Sequence, residues 1–381
     1  MNGRFLTLDD YRRPGARVLL AMSGGVDSAV SAVALVEAGF RVVGLTMKNY
    51  CHGDSFDSAP ERSCCSLTAI DDARAACQRL GIRHMVVGTE ELFGREVYAN
   101  FLDEYRAGRT PNPCVRCNSI VRFDTLAEWA DRMGFDYVAT GHYARVFRSE
   151  QGQCYLARSS NAVKDQSYFL SALPRDVLPR VLFPLGDREK TEVRARARLA
   201  GLSVAEKPDS QEVCFVSTRT LREFLDGKVP LAPGDVETID GNVVGRHDGL
   251  ATYTIGQRRG LGVAAGRPQY VVSLDVARNT VVLGDDSALW GRELTCRIAW
   301  VDELVGDGGP EGRSTLSAQI RSRQGAQRVS SVEVGGDVAR VVFESPQRAI
   351  APGQTIAFYD GDVVLGSGVI ESAEPARSAS P

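Results

Sequence analysis

The sequence predicts an α/β fold, a doubly wound parallel sheet over its N-terminal half followed by two β-rich modules. Three observations carry this expectation. Between residues 17 and 142, short β-like runs alternate with helical stretches, and strands separated by helices build parallel sheets. Near Gly227 the helical character ends; beyond it lie the alternating run Gln269-Tyr270-Val271-Val272-Ser273-Leu274 and the tight-turn pairs Gly241-Asn242 and Asp360-Gly361. A length of 381 residues exceeds one comfortable core and suits two or three domains.

Taken in order, strands are expected over 18–21, 42–47, 84–88 and 137–140, with helices near 28–38, 67–80, 90–106 and 119–133. Ligands of such sheets bind beyond the carboxyl ends of the strands, which gathers Ser23, Met47 and Gly141 into one crevice. Helical patterns continue over 190–201 and 218–225. The expected division is a catalytic domain over 1–226, a central β-rich domain over 227–287, a C-terminal β-rich domain over 288–370 and a frayed tail over 371–381. The cut between the β modules rests on the turn-rich Gly284-Asp285-Asp286-Ser287.

Composition narrows the function classes. Hydrophobic residues make up 43% and charged residues 24%, within the globular range and without a long apolar run, so no membrane association is expected. The N-terminus mixes Asp9 and Asp10 with Arg12 and Arg13 and has no apolar signal core, so a cytoplasmic location is expected. The net charge of −3 gives no global pull toward nucleic acid, and RNA binding has to rest on local patches such as Arg258-Arg259 and Arg321-Ser322-Arg323-Gln324. Nine cysteines, an odd number, suit reactive thiols or metal ligands better than a disulfide scaffold.

Ala21-Met22-Ser23-Gly24-Gly25-Val26-Asp27-Ser28 follows the apolar run Arg17-Val18-Leu19-Leu20 and opens a helical pattern. That is the arrangement of a phosphate cradle. Two glycines let backbone N–H groups close on an anion, and the helix presents its positive end to the same point. Ser23 and Ser28 add hydroxyl donors. The Lys of the common loop Gly-x-x-x-x-Gly-Lys-Ser/Thr is missing, which argues against γ-phosphate transfer. Asp27 either caps its helix or orients a metal, and Mg²⁺ is expected on the phosphates of a bound nucleotide.

Thr110-Pro111-Asn112-Pro113-Cys114-Val115-Arg116-Cys117-Asn118 is expected as a loop, because its two prolines oppose helix, leading into a helix near Ile120. A thiol just before a helix N-terminus has a lowered pKa, and Arg109 and Arg116 strengthen the tendency. A second candidate, Cys214, lies in Lys207-Pro208-Asp209-Ser210-Gln211-Glu212-Val213-Cys214-Phe215. Cys51, His52, Cys64 and Cys65 resemble a metal site numerically, but adjacent Cys64-Cys65 suit tetrahedral chelation poorly, and exposed loop thiols are expected. Cys77, Cys154 and Cys296 fall on apolar faces and are expected in the core. The pair Cys114 and Cys117 is read as a reactive site, since no second Cys-x-x-Cys or His pair completes a structural zinc site.

Ser-Gly-Gly-x-Asp-Ser after the first strand resembles the pyrophosphate loop of ATP pyrophosphatases. In order along the chain come Thr-Gly-His-Tyr-Ala-Arg (140–145), Lys-Asp-Gln-Ser-Tyr-Phe-Leu (164–170), Phe-Pro-Leu-Gly-Asp (183–187), Lys-Pro-Asp-Ser-Gln-Glu-Val-Cys-Phe (207–215) and Tyr-Thr-Ile-Gly-Gln-Arg-Arg-Gly-Leu-Gly (253–262). Over nearly its whole length the chain is similar to the bacterial tRNA-specific 2-thiouridylases. The resemblance implies an adenine nucleotide alpha hydrolase-like PP-loop domain and a β-barrel as the last module. It implies that ATP adenylates the C2 oxygen of the wobble uridine U34, and that sulfur then replaces that oxygen. Ala21, Met22, Ser23, Gly24, Gly25, Val26, Asp27, Ser28, Met47 and Gly141 are implied to line the ATP site. Cys214 is implied to carry a persulfide, with Cys117 the nucleophile that forms a disulfide with it. Asn112, Pro113 and Cys114 would face the target base, which is flipped from its stack. His142, Lys164, Asp165, Gln166, Arg321, Ser322 and Gln354 would contact tRNA. The implied partners are the anticodon arm of the Lys, Glu and Gln tRNAs and a cysteine desulfurase or sulfur-relay protein.

One departure bears on mechanism. Many members of that family carry Asp where this chain has Cys114. Cys114, Cys117 and Cys214 together make three thiolates, the ligand set of a [4Fe-4S] cluster with one open iron. Persulfide and cluster routes are both open at the level of sequence. The rival functions are a PP-loop ATP pyrophosphatase adenylating a small-molecule carbonyl and a non-catalytic tRNA-binding or sulfur-carrier protein.

Overall fold

The structure, a computed structural model, describes residues 1–49, 66–209, 213–216, 220–263, 267–301 and 316–374. It divides into two compact units. The first comprises Met1–Tyr98, Pro113–Thr218 and Asp362–Val364; the second comprises Ala99–Asn112, Arg219–Gly361 and Leu365–Pro381.

In the first unit the strands are β1 (Gly3–Phe5), β2 (Arg17–Ala21), β3 (Arg41–Lys48), β4 (Arg83–Gly88), β5 (Tyr137–Ala139), β6 (Ala144–Ser149), β7 (Cys154–Arg158) and β8 (Val181–Leu182). Five of them form a parallel sheet in the order β4-β3-β2-β5-β8. The order reverses at β2, so the chain ends of β2 and β5 form the switch point where such sheets bind ligands. Val18, Leu19 and Leu20 of β2 are wholly buried, as a strand covered on both faces requires. β1, β6 and β7 make a small antiparallel ladder.

Helix α1 (Val26–Glu37) follows β2, and α2 (Leu67–Arg79) follows β3 with Ser66 as its N-cap, accepting from the Ala69 N–H at 3.1 Å. The helix expected over 90–106 is realised in three pieces: α3 (Glu90–Phe93), a π-helical segment Gly94–Tyr98, and α4 (Ala99–Arg106), the last belonging to the second unit. The loop expected through Asn118 is corrected by the structure. Helix α5 (Pro113–Arg116) begins at Pro113 and runs through a π-helical segment Cys117–Phe123 into α6 (Asp124–Met133). A proline at the first helical position loses no hydrogen bond, because that N–H has no intrahelical partner; only Pro111 stays outside. Cys114 and Cys117 therefore sit on the helix. After α7 (Ser167–Leu170), α8 (Lys190–Leu199) packs against α1.

The second unit carries α9 (Leu221–Leu225), whose N-cap Thr220 forms a capping box with Glu223. Its central module is a four-stranded sheet of β9 (Gly234–Thr238), β10 (Val243–His247), β11 (Tyr270–Asp275) and β12 (Thr280–Gly284), ordered β10-β9-β12-β11 around a core of Val236, Leu250, Leu261, Val271, Val281 and Leu283. The last module is a closed antiparallel barrel. Its strands are β13 (Trp290–Val301), β14 (Leu316–Gln319), β15 (Gln327–Gly335), β16 (Val338–Arg348), β17 (Thr355–Asp360) and β18 (Val363–Glu374), and the β17–β18 pairing completes the ring. β18 runs through Glu374, past the boundary expected at 370, because Ser372 and Glu374 pair with Thr295 and Glu293 of β13. Residues 375–381 of the expected tail lie outside the described residues, as do Cys51, His52, Cys64 and Cys65. Cys77, Cys154 and Cys296 are buried, as expected. Among the described residues no helix is long and apolar enough to cross a membrane.

The sheet sets a stability contrast. Leu19→Ala, at a fully buried site on β2, is expected to lose about 2–5 kcal/mol in urea unfolding, whereas Leu199→Ala, at a side chain 88% exposed, should stay within about 0.5 kcal/mol of the parent.

Candidate active site

The loop after β2 is shaped by close main-chain approaches. Gly24 adopts φ +68°, and a Cβ there would lie 2.1 Å from the Ala69 carbonyl oxygen, so glycine is required both for conformation and for space. Gly25 is the N-cap of α1 and offers no side-chain cap. The first-turn N–H groups of a helix without such a cap are available to an anion, with the helix dipole behind them. A Cβ on Gly141, past the end of β5, would meet the Asp27 carbonyl carbon and the Ser28 nitrogen at 2.8 Å, so the chain after β5 lies directly on that same turn. Of the two hydroxyls expected as ligand donors, Ser23 is exposed, whereas Ser28 is buried and donates to the Gly25 carbonyl at 3.1 Å while accepting from the Ser23 N–H at 3.2 Å. Ser28 shapes the loop. Met47, at the carboxyl end of β3, is buried.

Sequence reasoning missed the charges around this turn. Lys190, the first residue of α8, donates to both oxygens of Asp27 at 2.7 and 2.8 Å and pairs with Asp209 at 2.7 Å. The Tyr143 hydroxyl also donates to Asp27, at 2.9 Å. Burial and the adjacent Asp27 carboxylate raise the Tyr143 pKa well above the phenolic range, so it stays a donor. Asp209 further accepts from Lys164 at 2.9 Å. Burial pushes the Asp209 carboxyl up, but hydrogen bonds from Lys164 and Lys190 outweigh it and hold the pKa below the usual value. Lys207 donates to the Gly24 carbonyl at 3.0 Å and to Asp72 at 2.6 Å.

The expected RNA-contacting triplet is woven into the same framework. Besides the Lys164 pair, Asp165 accepts from Arg158, the Ser159 N–H and the Ser167 hydroxyl. The Gln166 side-chain oxygen accepts from the Tyr143 N–H at 2.9 Å. His142, next to Gly141, accepts at Nε2 from Arg122 at 3.1 Å and bonds through Nδ1 to Thr140 at 2.8 Å. A guanidinium only donates, so the proton of the neutral ring is on Nδ1. Burial and Arg122 hold the His142 pKa well below its ordinary value. Arg122 is in turn held by Asn118, whose amide donates to the Phe169 carbonyl.

The two candidate cysteines of the chemistry attach to one common segment. Arg116, adjacent to Cys117, donates through Nε to the Glu96 carbonyl and through Nη2 to the Glu96 carboxylate at 2.9 Å. Phe215, adjacent to Cys214, packs edge-on against Phe93 and Tyr98, with ring centroids 5.7 and 5.9 Å apart. Both thiols are thus anchored by neighbours gripping residues 93–98. Cys114, Cys117 and Cys214 are each half-buried. Among the described residues no three His, Cys, Asp or Glu side chains converge to hold a metal ion.

In the second unit, the Gln354 amide donates to the carbonyls of Thr110 and Pro111 at 2.8 and 3.3 Å, which commits its donors to the segment preceding the cysteine helix. Asn112 is half-buried there. Arg321 and Ser322 lie in the turn between β14 and β15, their carbonyls accepting from Gln319, and Ser322 is exposed.

Comparison with known families divides the chain into three matched segments. Residues 16–218 match the family model described as a tRNA methyl transferase HUP domain, 222–285 the tRNA methyl transferase PRC-barrel domain, and 295–370 the aminomethyltransferase beta-barrel domain. The chain is 42% identical over 362 residues to the tRNA-specific 2-thiouridylase MnmA of Acetivibrio thermocellus, covering 93% of this chain and 99% of that one. It is 43% identical to that of Symbiobacterium thermophilum, covering 97% and 96%, and 45% identical to that of Heliobacterium modesticaldum, covering 93% and 92%. The chain belongs to the tRNA-specific 2-thiouridylase family. As a thiouridylase-family protein it places the PP-loop at the switch point of its parallel sheet and both expected cysteines in the same unit.

His142 gives this family member a testable pH signature. Above pH about 6.5 the ring is neutral in both folded and unfolded chains and contributes no pH dependence. Below it, the unfolded chain takes up a proton that the folded one refuses, so stability falls as pH drops, by at most about 1.4 kcal/mol per pH unit. His142→Gln lacks this linkage. The wild-type advantage over the variant should be flat above pH about 6.5 and shrink below it in urea unfolding; parallel stability curves would contradict a ring held neutral.

Proposed function

We propose that the chain catalyses ATP-dependent 2-thiolation of the wobble uridine U34 of tRNA. The observation that carries this reading is the uncapped start of α1, shaped to receive phosphates, in a unit that also anchors Cys117 and Cys214 to residues 93–98. ATP supplies AMP to the C2 oxygen of the flipped base, with pyrophosphate leaving. Gly24, Gly25 and the first turn of α1 receive the phosphates, and Ser23 adds its hydroxyl. Asp27 would hold Mg²⁺ together with phosphate oxygens, the donor set this ion prefers; bound there, the ion offsets phosphate charge.

The terminal sulfur of a Cys214 persulfide then attacks C2. The C2–O bond breaks, AMP leaves, and Cys214 is joined to the base through a disulfide-like S–S bond. Attack by the Cys117 thiolate on the Cys214 sulfur breaks that bond, frees 2-thiouridine and leaves a Cys117–Cys214 disulfide, which a thiol reductant reopens. Lys164, Gln166, His142, Arg321 and Gln354 are proposed at the RNA surface, with Asn112, Pro113 and Cys114 toward the base. Sulfur would come from a cysteine desulfurase or a relay protein, and the substrates would be the Lys, Glu and Gln tRNAs, in the cytoplasm.

Cys117→Ser and Cys214→Ser are each expected to abolish 2-thiouridine, read by nucleoside mass spectrometry, while tRNA-dependent pyrophosphate release persists. Normal thiolation by either variant would defeat the proposed route. In anaerobically purified protein, thiolation is expected to proceed without iron; activity rising in proportion to bound iron would instead favour the cluster route.

A further inference from the structure

We infer that Lys190 is the phosphate-binding cation of the nucleotide site, the charge that the loop itself lacks. Residues 21–28 contain no lysine or arginine, so the loop offers dipoles and hydroxyls but no full positive charge to ATP. Lys190 supplies one from far along the chain. Its side chain is 14% exposed, and its ammonium contacts Asp27, a first-turn residue of the helix whose N–H groups have no side-chain cap.

Three features argue that this lysine does more than pair with carboxylates. It is the first residue of α8, the positive end of a helix, where a cation is disfavoured and an acidic residue is the ordinary choice. Its three donors go to the two Asp27 oxygens and to Asp209, yet Asp209 also has Lys164 and Arg194, and Asp27 also has the Tyr143 hydroxyl. Three cations thus face two carboxylates, and both carboxylates retain a donor when Lys190 turns away. Lys207, the other lysine at the loop, is committed instead to the Gly24 carbonyl and Asp72, which pins the loop from its carbonyl side. An ammonium on a four-carbon stem is suited to exchanging a carboxylate for a phosphate oxygen. On this inference Lys190 leaves Asp27 for the β- or γ-phosphate when ATP enters. It then offsets the charge that grows on pyrophosphate as the bond to the α-phosphorus breaks.

The inference rests on the reading of the loop as an ATP site. Its test compares nucleotide binding by calorimetry in Lys190→Met, Lys190→Arg and the double variant Lys190→Met/Asp209→Asn, with inorganic pyrophosphate and AMP as further probes. Lys190→Met is expected to weaken ATP and pyrophosphate roughly ten- to a hundredfold and to leave AMP unchanged, which also certifies the fold. Lys190→Arg should recover part of the ATP affinity. The double variant also removes one of the two carboxylates that Lys190 contacts and should still bind ATP weakly. Equal losses for ATP and AMP, no loss for ATP, or recovery of ATP affinity in the double variant would each overturn the role of Lys190. Failure of the wild-type protein to bind ATP would overturn the site reading itself.

Discussion

The first unit is organised around a helix terminus left without a side-chain cap. α1 starts at a glycine, and the main chain closes on it from two directions, at Gly24 against Ala69 and at Gly141 against Asp27 and Ser28. Side chains at either glycine would open the gap. Unpaired N–H groups at a crowded helix end carry a free-energy cost that a ligand removes. Ser28, which has the right chemistry to contact a phosphate, bonds instead to its own loop, so the loop is held in the shape that points its backbone donors outward.

The neighbours of Cys117 and Cys214 share a second constraint, residues 93–98. The π-helical turn Gly94–Tyr98 presents Glu96 to Arg116, while Phe93 and Tyr98 seat Phe215. A second π-helical segment begins at Cys117 itself. Such segments are rare and concentrate at functional positions. Here one of them changes the helical phase at Cys117, and the anchors flank each thiol instead of occupying it.

Legibility in the sequence followed chain distance. The parallel sheet, the loop and the buried Cys77, Cys154 and Cys296 were readable because their signals are local: apolar runs, paired glycines, apolar faces. The cysteine helix was misread because two prolines suggested a loop, while one of them sat where a helix tolerates it. Lys190, Asp209 and Lys207 were invisible as site residues. Lys190 is 163 residues from Asp27, and Lys207 is 183 from Gly24; no spacing rule connects them, and each alone reads as a solvated charge. Gln354 was read toward RNA; its amide also donates to the Thr110 and Pro111 carbonyls, a partnership visible only after folding.

The placement of proton and charge then divides the work at the strand ends. Beyond β5, Arg122 donates into His142, so a protonated imidazole would set two cations against each other; the ring is held neutral and the guanidinium carries the charge. At α1 the same economy appears with a lysine. Asp27 and Asp209 hold Lys190 beside the phosphate loop, and the Tyr143 hydroxyl, kept protonated, remains a donor to Asp27. Both arrangements thus set a cation beside a group kept in one protonation state, the neutral His142 ring beside Arg122 and the protonated Tyr143 hydroxyl beside Lys190 and Asp27.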